Sequence, residues 1–293
     1  MPDTNAASFS AENVLYDEPY PEIARITVDR PDRRNAQDTQ VTYELNRAFD
    51  LAIQRDQVKV IILASTGPHF SSGHDLGSDR GKDSADFPAV GTWGQFSAPG
   101  AEGRFGREME VYYQITERWR NLSKPTIAQV QGKCITGGLA LAWCCDLIVA
   151  SEDAQFICTS PNMGGSGIEF WSYPLEVGHR RAKRWLMTGE PMSASDAYDF
   201  GMVSEVVPKA DLEERTLQLA RKIAERTSWS LKMTKLAINN AQDVQGRRAA
   251  MDYGFLVHQL GHSHRMQVHG APVDPNTLTP SLRDASLERW KST

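Results

Sequence analysis

The run Val60-Ile61-Ile62-Leu63-Ala64 constrains the fold more than any other feature of the chain. Five consecutive apolar residues read as a buried strand. The stretch that follows, His69-Phe70-Ser71-Ser72-Gly73-His74-Asp75-Leu76-Gly77, closes that strand with small residues, a glycine and a His-Asp pair. Such an end places backbone N–H groups and polar side chains at one edge of a sheet, where α/β proteins bind ligands. Gly73-His74-Asp75 is therefore either a tight turn or one half of an anion-stabilising site.

The flanking sequence sets this strand in a repeating pattern. Residues 23–29 alternate apolar and polar as a strand does, and Pro31 breaks the chain after them. Val41, Leu45, Phe49 and Ile53 then form a helical face. Strand, helix, strand in this order predicts a parallel crossover. A strand over 124–132, an apolar helix opened by Gly137-Gly138, a strand over 147–150, and a short strand with a glycine-rich turn and a new helix continue the α/β pattern. From Ala210 onward the spacing is only helical: Asp211 with Glu214 reads as a capping box, Ser228 as the cap of a helix carrying Leu231, Leu236 and Ile238, and a third helix runs from about 247 to 266. The predicted divisions are a loose tail over 1–12, a core over 13–209, a helical region over 210–267 and a C-terminal arm over 268–293.

Within the core, residues 77–106 hold seven glycines and two prolines, with Trp93, Phe96 and Phe105 among them. The aromatics point to a lid that closes on an apolar ligand; a plain surface insertion is the alternative.

Composition excludes several function classes. With 293 residues, 40% apolar and 24% charged, the chain reads as a soluble globular protein. A net charge of −5 and the lack of a Lys/Arg stripe argue against a nucleic-acid partner. No apolar run nears the ~20 residues of a membrane helix. The N-terminus has neither the basic nor the apolar region of a secretory signal. Cys134, Cys144, Cys145 and Cys158 form no C-x-x-C pair; the adjacent Cys144 and Cys145, in an apolar run, read as small buried hydrophobes rather than a zinc or redox site. A cytoplasmic location is expected.

Two glycine-rich elements carry the chemistry: Ser72-Gly73-His74-Asp75 after a strand, and Thr136-Gly137-Gly138 at a helix start. Each presents a free backbone N–H, and two such groups aimed at one point make an oxyanion hole. A phosphate loop is the rival, but neither stretch has G-x-x-x-x-G-K-[ST] or G-x-G-x-x-G.

The segments "DRPDRRNAQ", "VIILASTGPHFSSGHDL", "KPTIAQVQGKCITGGLALAWCCDLIVAS", "AQF" and "LMTGEPMSASDAYDFGMVSEVVP", in this order, resemble the crotonase superfamily, the enoyl-CoA hydratase/isomerase family. The resemblance spans roughly 23–266. It implies an α/β fold, a crotonase-like spiral of ββα units with a C-terminal helical trimerisation region. It also implies an acyl-CoA thioester substrate, with CoA as part of the substrate and no other cofactor, no metal, and a homotrimer or a hexamer built as a dimer of trimers. By the same resemblance, the N–H of His74 and that of Gly137 stabilise a thioester enolate. His74, Asp75, Leu76 and Gly77 line the thioester and adenine path. Ala36 lies on the loop that meets CoA, and Arg33 and Arg34 meet its phosphates. The His74 imidazole needs no acid–base role in this scheme.

The two glutamates of family hydratases match Ala140 and Ser160, neither of which can take a proton. Glu169, after Gly164, Gly165 and Gly167 and between apolar Ile168 and Phe170, is the candidate base. The expectation is a helix-start carboxylate whose burial raises its pKa. Glu108 and Glu110, beside the lid, are secondary candidates. His258, His262, His264 and His269 have no acidic partner of the H-E-x-x-H kind, so a solvated or intersubunit helix face is expected rather than a metal site. The whole reads as an enoyl-CoA hydratase/isomerase-type lyase. A weakly catalytic CoA-ester-binding homologue and a hydrolase on the same fold are the alternatives.

Overall fold

A computed structural model describes residues 9–76, 83–280 and 283. The N-terminal part runs β1 (Phe9–Ser10), β2 (Val14–Tyr20), β3 (Ile23–Val28), α1 (Thr39–Gln54), β4 (Val60–Ser65), α2 (Gly100–Glu108) and α3 (Ile115–Arg120). The middle runs β5 (Thr126–Val130), β6 (Lys133–Ile135), α4 (Gly137–Trp143), β7 (Leu147–Ser151), β8 (Gln155–Ile157), α5 (Tyr173–Val177), α6 (His179–Thr188), β9 (Met192–Ser193), α7 (Ala194–Asp199) and β10 (Glu205–Val207). Three helices close it: α8 (Leu212–Ala224), α9 (Ser228–Val244) and α10 (Arg247–His269).

One sheet has the order β1-β2-β3-β4-β5-β7-β10 and a second the order β6-β8-β9. From β3 to β10 every ladder of the large sheet is parallel. Successive turns place one strand in each sheet: β5 then β6, and β7 then β8, with Ser71 after β4 bridging Cys134 of β6. This is the expected spiral of strand-strand-helix turns. The apolar run at the start is explained by burial on two faces. Ile61 and Leu63 enter the main core, while Val60, Ile62 and Ala64 pack against Leu212, Ala220 and Ala224 of α8. Burying each such side chain contributes about 1.5–3 kcal/mol.

Several expectations give way to the structure. Phe9–Ser10 pairs with β2, so the loose tail does not extend to residue 12; residues 1–8 lie outside the described residues. Asp211 makes no side-chain cap on α8, and the cap of α9 is Thr227, whose Oγ1 accepts from Ser230 N over 3.2 Å. Leu236 and Ile238 on α9 are exposed; within the subunit that helix buries only Lys235, which pairs with Asp146 over 2.8 Å. Residues 77–106 are not wholly loop. A 3-10 turn spans Ser84–Asp86, α2 begins at Gly100, and residues 77–82 lie outside the described residues. Glycine content hid α2, yet its glycines serve packing. A side chain on Gly103 would meet Ala98 O at 1.9 Å, and one on Gly106 would meet Gly94 O at 2.4 Å. The arm after α10 turns back on the core, where Arg265 Nε donates to Pro272 O and Asp274 N to Met163 O. Residues 281–282 and 284–293 lie outside the described residues.

Candidate active site

A cleft of about 570 Å³, counting its open mouth, lies between the two glycine elements and α10. Ser72, His74, Thr136, Ser160, Glu169 and His258 are among the residues that line it.

Gly73 has φ +89°, and a side chain there would start 2.7 Å from Ile135 O and 3.2 Å from Gly137 N. A side chain on Gly137 would start 3.2 Å from His74 N and 2.4 Å from His74 Cδ2. Only glycine fits either position, and the two backbone segments touch. The backbone nitrogens of His74 and Gly137 therefore lie close together; His74 lines the cleft and Gly137 lies just behind its lining residue Thr136. Neither donates to another group among the described residues. The tight turn of the sequence reading is present, with Gly73 at positive φ. Before Gly137, Thr136 holds φ 47° and ψ −102°. For a β-branched residue this costs about 1–3 kcal/mol. The conformation is fixed by Thr136 N donating to Ile157 O over 2.8 Å and by Thr159 N donating to Thr136 Oγ1 over 3.1 Å.

The CoA-side residues divide. Arg33 and Arg34 are exposed, and their carbonyls accept from Ser72 at the cleft: Ser72 N donates to Arg34 O over 3.0 Å. Ala36 is buried. Leu76 lines the mouth, 42% exposed. Asp75 does not line the cleft; it pairs with Arg30 over 2.9 Å and ties the 30–36 loop to the strand end. Gly77 lies outside the described residues.

Glu169 is buried, as expected, but it sits in a bend four residues before α5 rather than at a helix start. Its pKa moves opposite to the expectation. Burial pushes it up, but His74 and His258 outweigh burial and hold it well below the usual carboxylate range. Its Oε1 lies 3.7 Å from His74 Nδ1 and 3.4 Å from His258 Nε2. The His74 ring stacks on Tyr112 at 3.8 Å. Ala140 is buried in α4 and offers no carboxylate. Ser160 serves the loop instead: its Oγ donates to Gly167 O over 2.5 Å.

The secondary candidates separate clearly. Glu110 accepts from Val90 N at 2.6 Å and Gly91 N at 2.8 Å, so it anchors the segment before α2 rather than reaching the cleft. Glu108 reaches the cluster beside Glu169. Between Glu108 and α3 a π-helical turn, Met109–Gln114, interrupts the helix; such turns concentrate at functional sites. His258 and His262 are not on a solvated face, contrary to the expectation. They point inward, with His258 Nε2 3.6 Å and His262 Nε2 3.5 Å from Glu108 Oε2. Sequence spacing missed them because their acidic partners are about 90 and 150 residues away along the chain. His264 is exposed and His269 lies 3.8 Å from Asp274, as surface histidines do. Burial pulls His258 down, but Glu169 and Glu108 outweigh it and hold it up to about 10. Burial pushes His262 down.

A family profile described as enoyl-CoA hydratase/isomerase matches residues 18–92 and 102–270. The chain belongs to that family. EchA13 of Mycobacterium tuberculosis (strain ATCC 25618 / H37Rv), which bears a provisional enoyl-CoA hydratase name, is 42% identical over 89% of this chain and 84% of its own. 4-Chlorobenzoyl coenzyme A dehalogenase-2 of an Arthrobacter species is 29% identical over 69% of each chain. A crystal structure from Mycobacterium thermoresistibile, with a similarly provisional enoyl-CoA hydratase title, superposes with a TM-score of 0.81 at 40% identity, covering 90% of this chain and all of that one. Among the described residues no helix is long and apolar enough to cross a membrane.

Proposed function

We propose that the chain is an acyl-CoA-processing lyase of the enoyl-CoA hydratase/isomerase type, acting through a thioester enolate. The observation that carries this reading is the close approach of the His74 and Gly137 backbones, with the buried Glu169 carboxylate 3.7 Å from the His74 ring. Removing a proton next to a thioester carbonyl moves negative charge onto its oxygen. Two fixed N–H donors in a dry cleft stabilise that charge with little reorganisation. Glu169 is ionised and takes the proton; the two-glutamate hydration scheme has no carboxylate at Ala140 or Ser160. The exposed Arg33 and Arg34, on the loop bonded to Ser72, suit the CoA phosphates, with Ala36 and Leu76 along the path. Asp75 acts indirectly, through Arg30. Four free, buried cysteines suit a reducing cytoplasm. No cofactor beyond the CoA of the substrate is needed. The exposed apolar faces of α9 and α10 suit assembly into a homotrimer or a dimer of trimers.

The test is steady-state kinetics on a panel of enoyl-CoA thioesters that includes 4-chlorobenzoyl-CoA, since one relative bears that dehalogenase name. Turnover that falls by about 10²–10⁴ in kcat for Glu169→Gln, with CoA binding retained, supports the reading. Binding without turnover identifies a CoA-ester-binding homologue, and release of free CoA identifies a thioester hydrolase. Near-full kcat in Glu169→Gln removes Glu169 from the chemistry.

A further inference from the structure

We propose that Glu108, Glu169, His258 and His262 form a four-ligand site for a zinc ion at the inner wall of the cleft. The four side chains come from α2, the bend before α5, and α10, and one donor atom from each lies within 4.8 Å of all the others. Two of the residues are fully buried and two partly so.

The spacing separates a metal site from a hydrogen-bonded cluster. N–H···O bonds run about 2.7–3.2 Å. Here His258 Nε2 lies 3.4 Å from Glu169 and 3.6 Å from Glu108, and His262 Nε2 lies 3.5 Å from Glu108. All three are longer than the usual hydrogen bond and lie within ion-pair reach. They match the edge of a zinc tetrahedron, ~3.4 Å for bonds of 2.0–2.2 Å. The widest pair needs shifts on the order of 1 Å to close on an ion.

The surroundings of the rings carry the same reading. His258 Nδ1 lies 3.0 Å from Gly167 O. A carbonyl only accepts, so Nδ1 carries a proton and Nε2 is the nitrogen that faces the carboxylates; zinc would take the place of any proton held there. This is the outer-shell arrangement that orients a metal-binding histidine. His258 Nε2 is buried and has no hydrogen-bond partner among the described residues. His262 Nδ1 lies 2.9 Å from Pro272 O and 3.0 Å from Arg265 Nη2, so either of its tautomers finds a partner. Gln259 Nε2 donates to Glu108 Oε2 and fixes that carboxylate. α10 is held against the core on the N-terminal side of the site. Arg247 pairs with Glu117 over 2.8 Å, and Gly254 sits where any side chain would meet Trp171 at 2.5 Å.

Two histidines and two carboxylates fill a tetrahedron, and a filled tetrahedron marks a structural zinc rather than an open catalytic one. Zinc here would clamp α10 to the loop that carries Glu169 and would occupy the carboxylate that the enolate reading uses as its base. The enolate reading therefore describes the metal-free cleft, and bound zinc should suppress its turnover.

The test uses the full chain after dialysis against a chelator, titrated calorimetrically with zinc chloride. One zinc per chain is expected, with a rise in Tm. Cobalt(II) in its place should give the intense visible bands of a tetrahedral centre. His262→Gln and Glu108→Gln should each weaken zinc binding at least ~10-fold, as loss of even an outer-shell partner does; His264→Gln, on the exposed face, should not. Two variants are named so that one misfolded protein, recognised by its circular dichroism, leaves the other to decide. No stoichiometric zinc uptake by the wild type, or unchanged affinity in a folded His262→Gln or Glu108→Gln protein, overturns the site. Either result leaves the acyl-CoA assay and the Glu169→Gln kinetics in chelator untouched.

Discussion

Ser160 Oγ donates to the carbonyl oxygen of Gly167 over 2.5 Å, two residues before Glu169. Ser160, which the family resemblance sets against a hydratase glutamate, thus braces the loop that carries Glu169. Gly165 N also donates to Ser160 O over 2.7 Å, so the brace grips the loop twice. Ser160→Ala removes one grip and leaves Gly167 O with His258 alone. Loss of one buried hydrogen bond costs about 1 kcal/mol. A carboxylate displaced by a fraction of an ångström loses rate steeply. Ser160→Ala should lower kcat by ~10–100-fold with KM nearly unchanged, read by kinetics beside a thermal melt. Unchanged kcat would mean that the loop holds its place without the brace.

The oxyanion assignment rests on backbone atoms, and substitutions separate those from side chains. Gly137→Pro removes the N–H itself. It also puts atoms where the His74 ring lies, 2.4 Å from Cδ2. Turnover should vanish even in folded protein. His74→Ala keeps its backbone donor and loses the stack on Tyr112 and the 3.7 Å contact with Glu169. Its kcat should fall by about tenfold or less, against the ~10²–10³ typical of losing an oxyanion donor. Equal losses in the two variants would give the imidazole a direct role.

The sequence made the spiral legible because each of its turns has a local signature. The uninterrupted run at Val60–Ala64 reports a strand buried on both faces, and Gly73 and Gly137 report places where backbone meets backbone. The site was half legible for the same reason. The candidate N–H donors sit in local turns, whereas Glu108, Glu169, His258 and His262 are brought together only by tertiary packing. Local propensity also misread α2, where glycines serve close packing, and the pKa of Glu169, where burial alone argued upward. Two histidines from elsewhere in the chain and in the fold reversed its direction.

Glu110 should govern the lid segment rather than the chemistry. Its carboxylate accepts from Val90 N and Gly91 N, and Tyr43 Oη donates to it over 3.2 Å. Glu110→Gln turns one acceptor oxygen into a donor facing an N–H. Hydrogen bonds to charged groups contribute about 1.5–3 kcal/mol. Amide exchange at Val90 and Gly91 should accelerate, and acyl-CoA binding should restore part of the protection. Exchange that is unchanged by the substitution would mean that Tyr43–Phe87 stacking, at 4.2 Å, holds the segment by itself.

The cysteines should be inert in the folded protein. Burial pushes Cys158 up to about 11, with its Sγ 2.9 Å from Tyr173 Oη, and burial also raises Cys134. Since the thiolate is the reactive form, a thiol of pKa 11 is ionised to about one part in a thousand at pH 8. A colorimetric disulfide reagent at that pH should find no fast thiol in the native chain and all four after denaturation. Raising the pH toward 11 increases the thiolate fraction of Cys158, so any native reaction should grow with pH. A fast thiol at pH 8 would contradict the burial of all four.

The C-terminal helices leave two apolar stripes uncovered. On α9, Trp229, Met233 and Leu236 follow one another at helical spacing and are 71%, 39% and 62% exposed. On α10, Tyr253, Leu256 and Leu260 do the same at 71%, 54% and 70%. Helices whose apolar faces point outward need a partner surface. α9 is otherwise tied to the core through Lys235 and Asp146, and that tie does not depend on the stripe. Charge on the stripe should therefore break assembly and spare the subunit fold. Light scattering coupled to size exclusion should find the wild type as a trimer or hexamer. Leu236→Glu with Leu260→Glu should shift it toward monomer, with an unchanged circular dichroism spectrum. A monomeric wild type at micromolar concentration would mean that these stripes serve some other partner, and the oligomer expected from the family resemblance would fall.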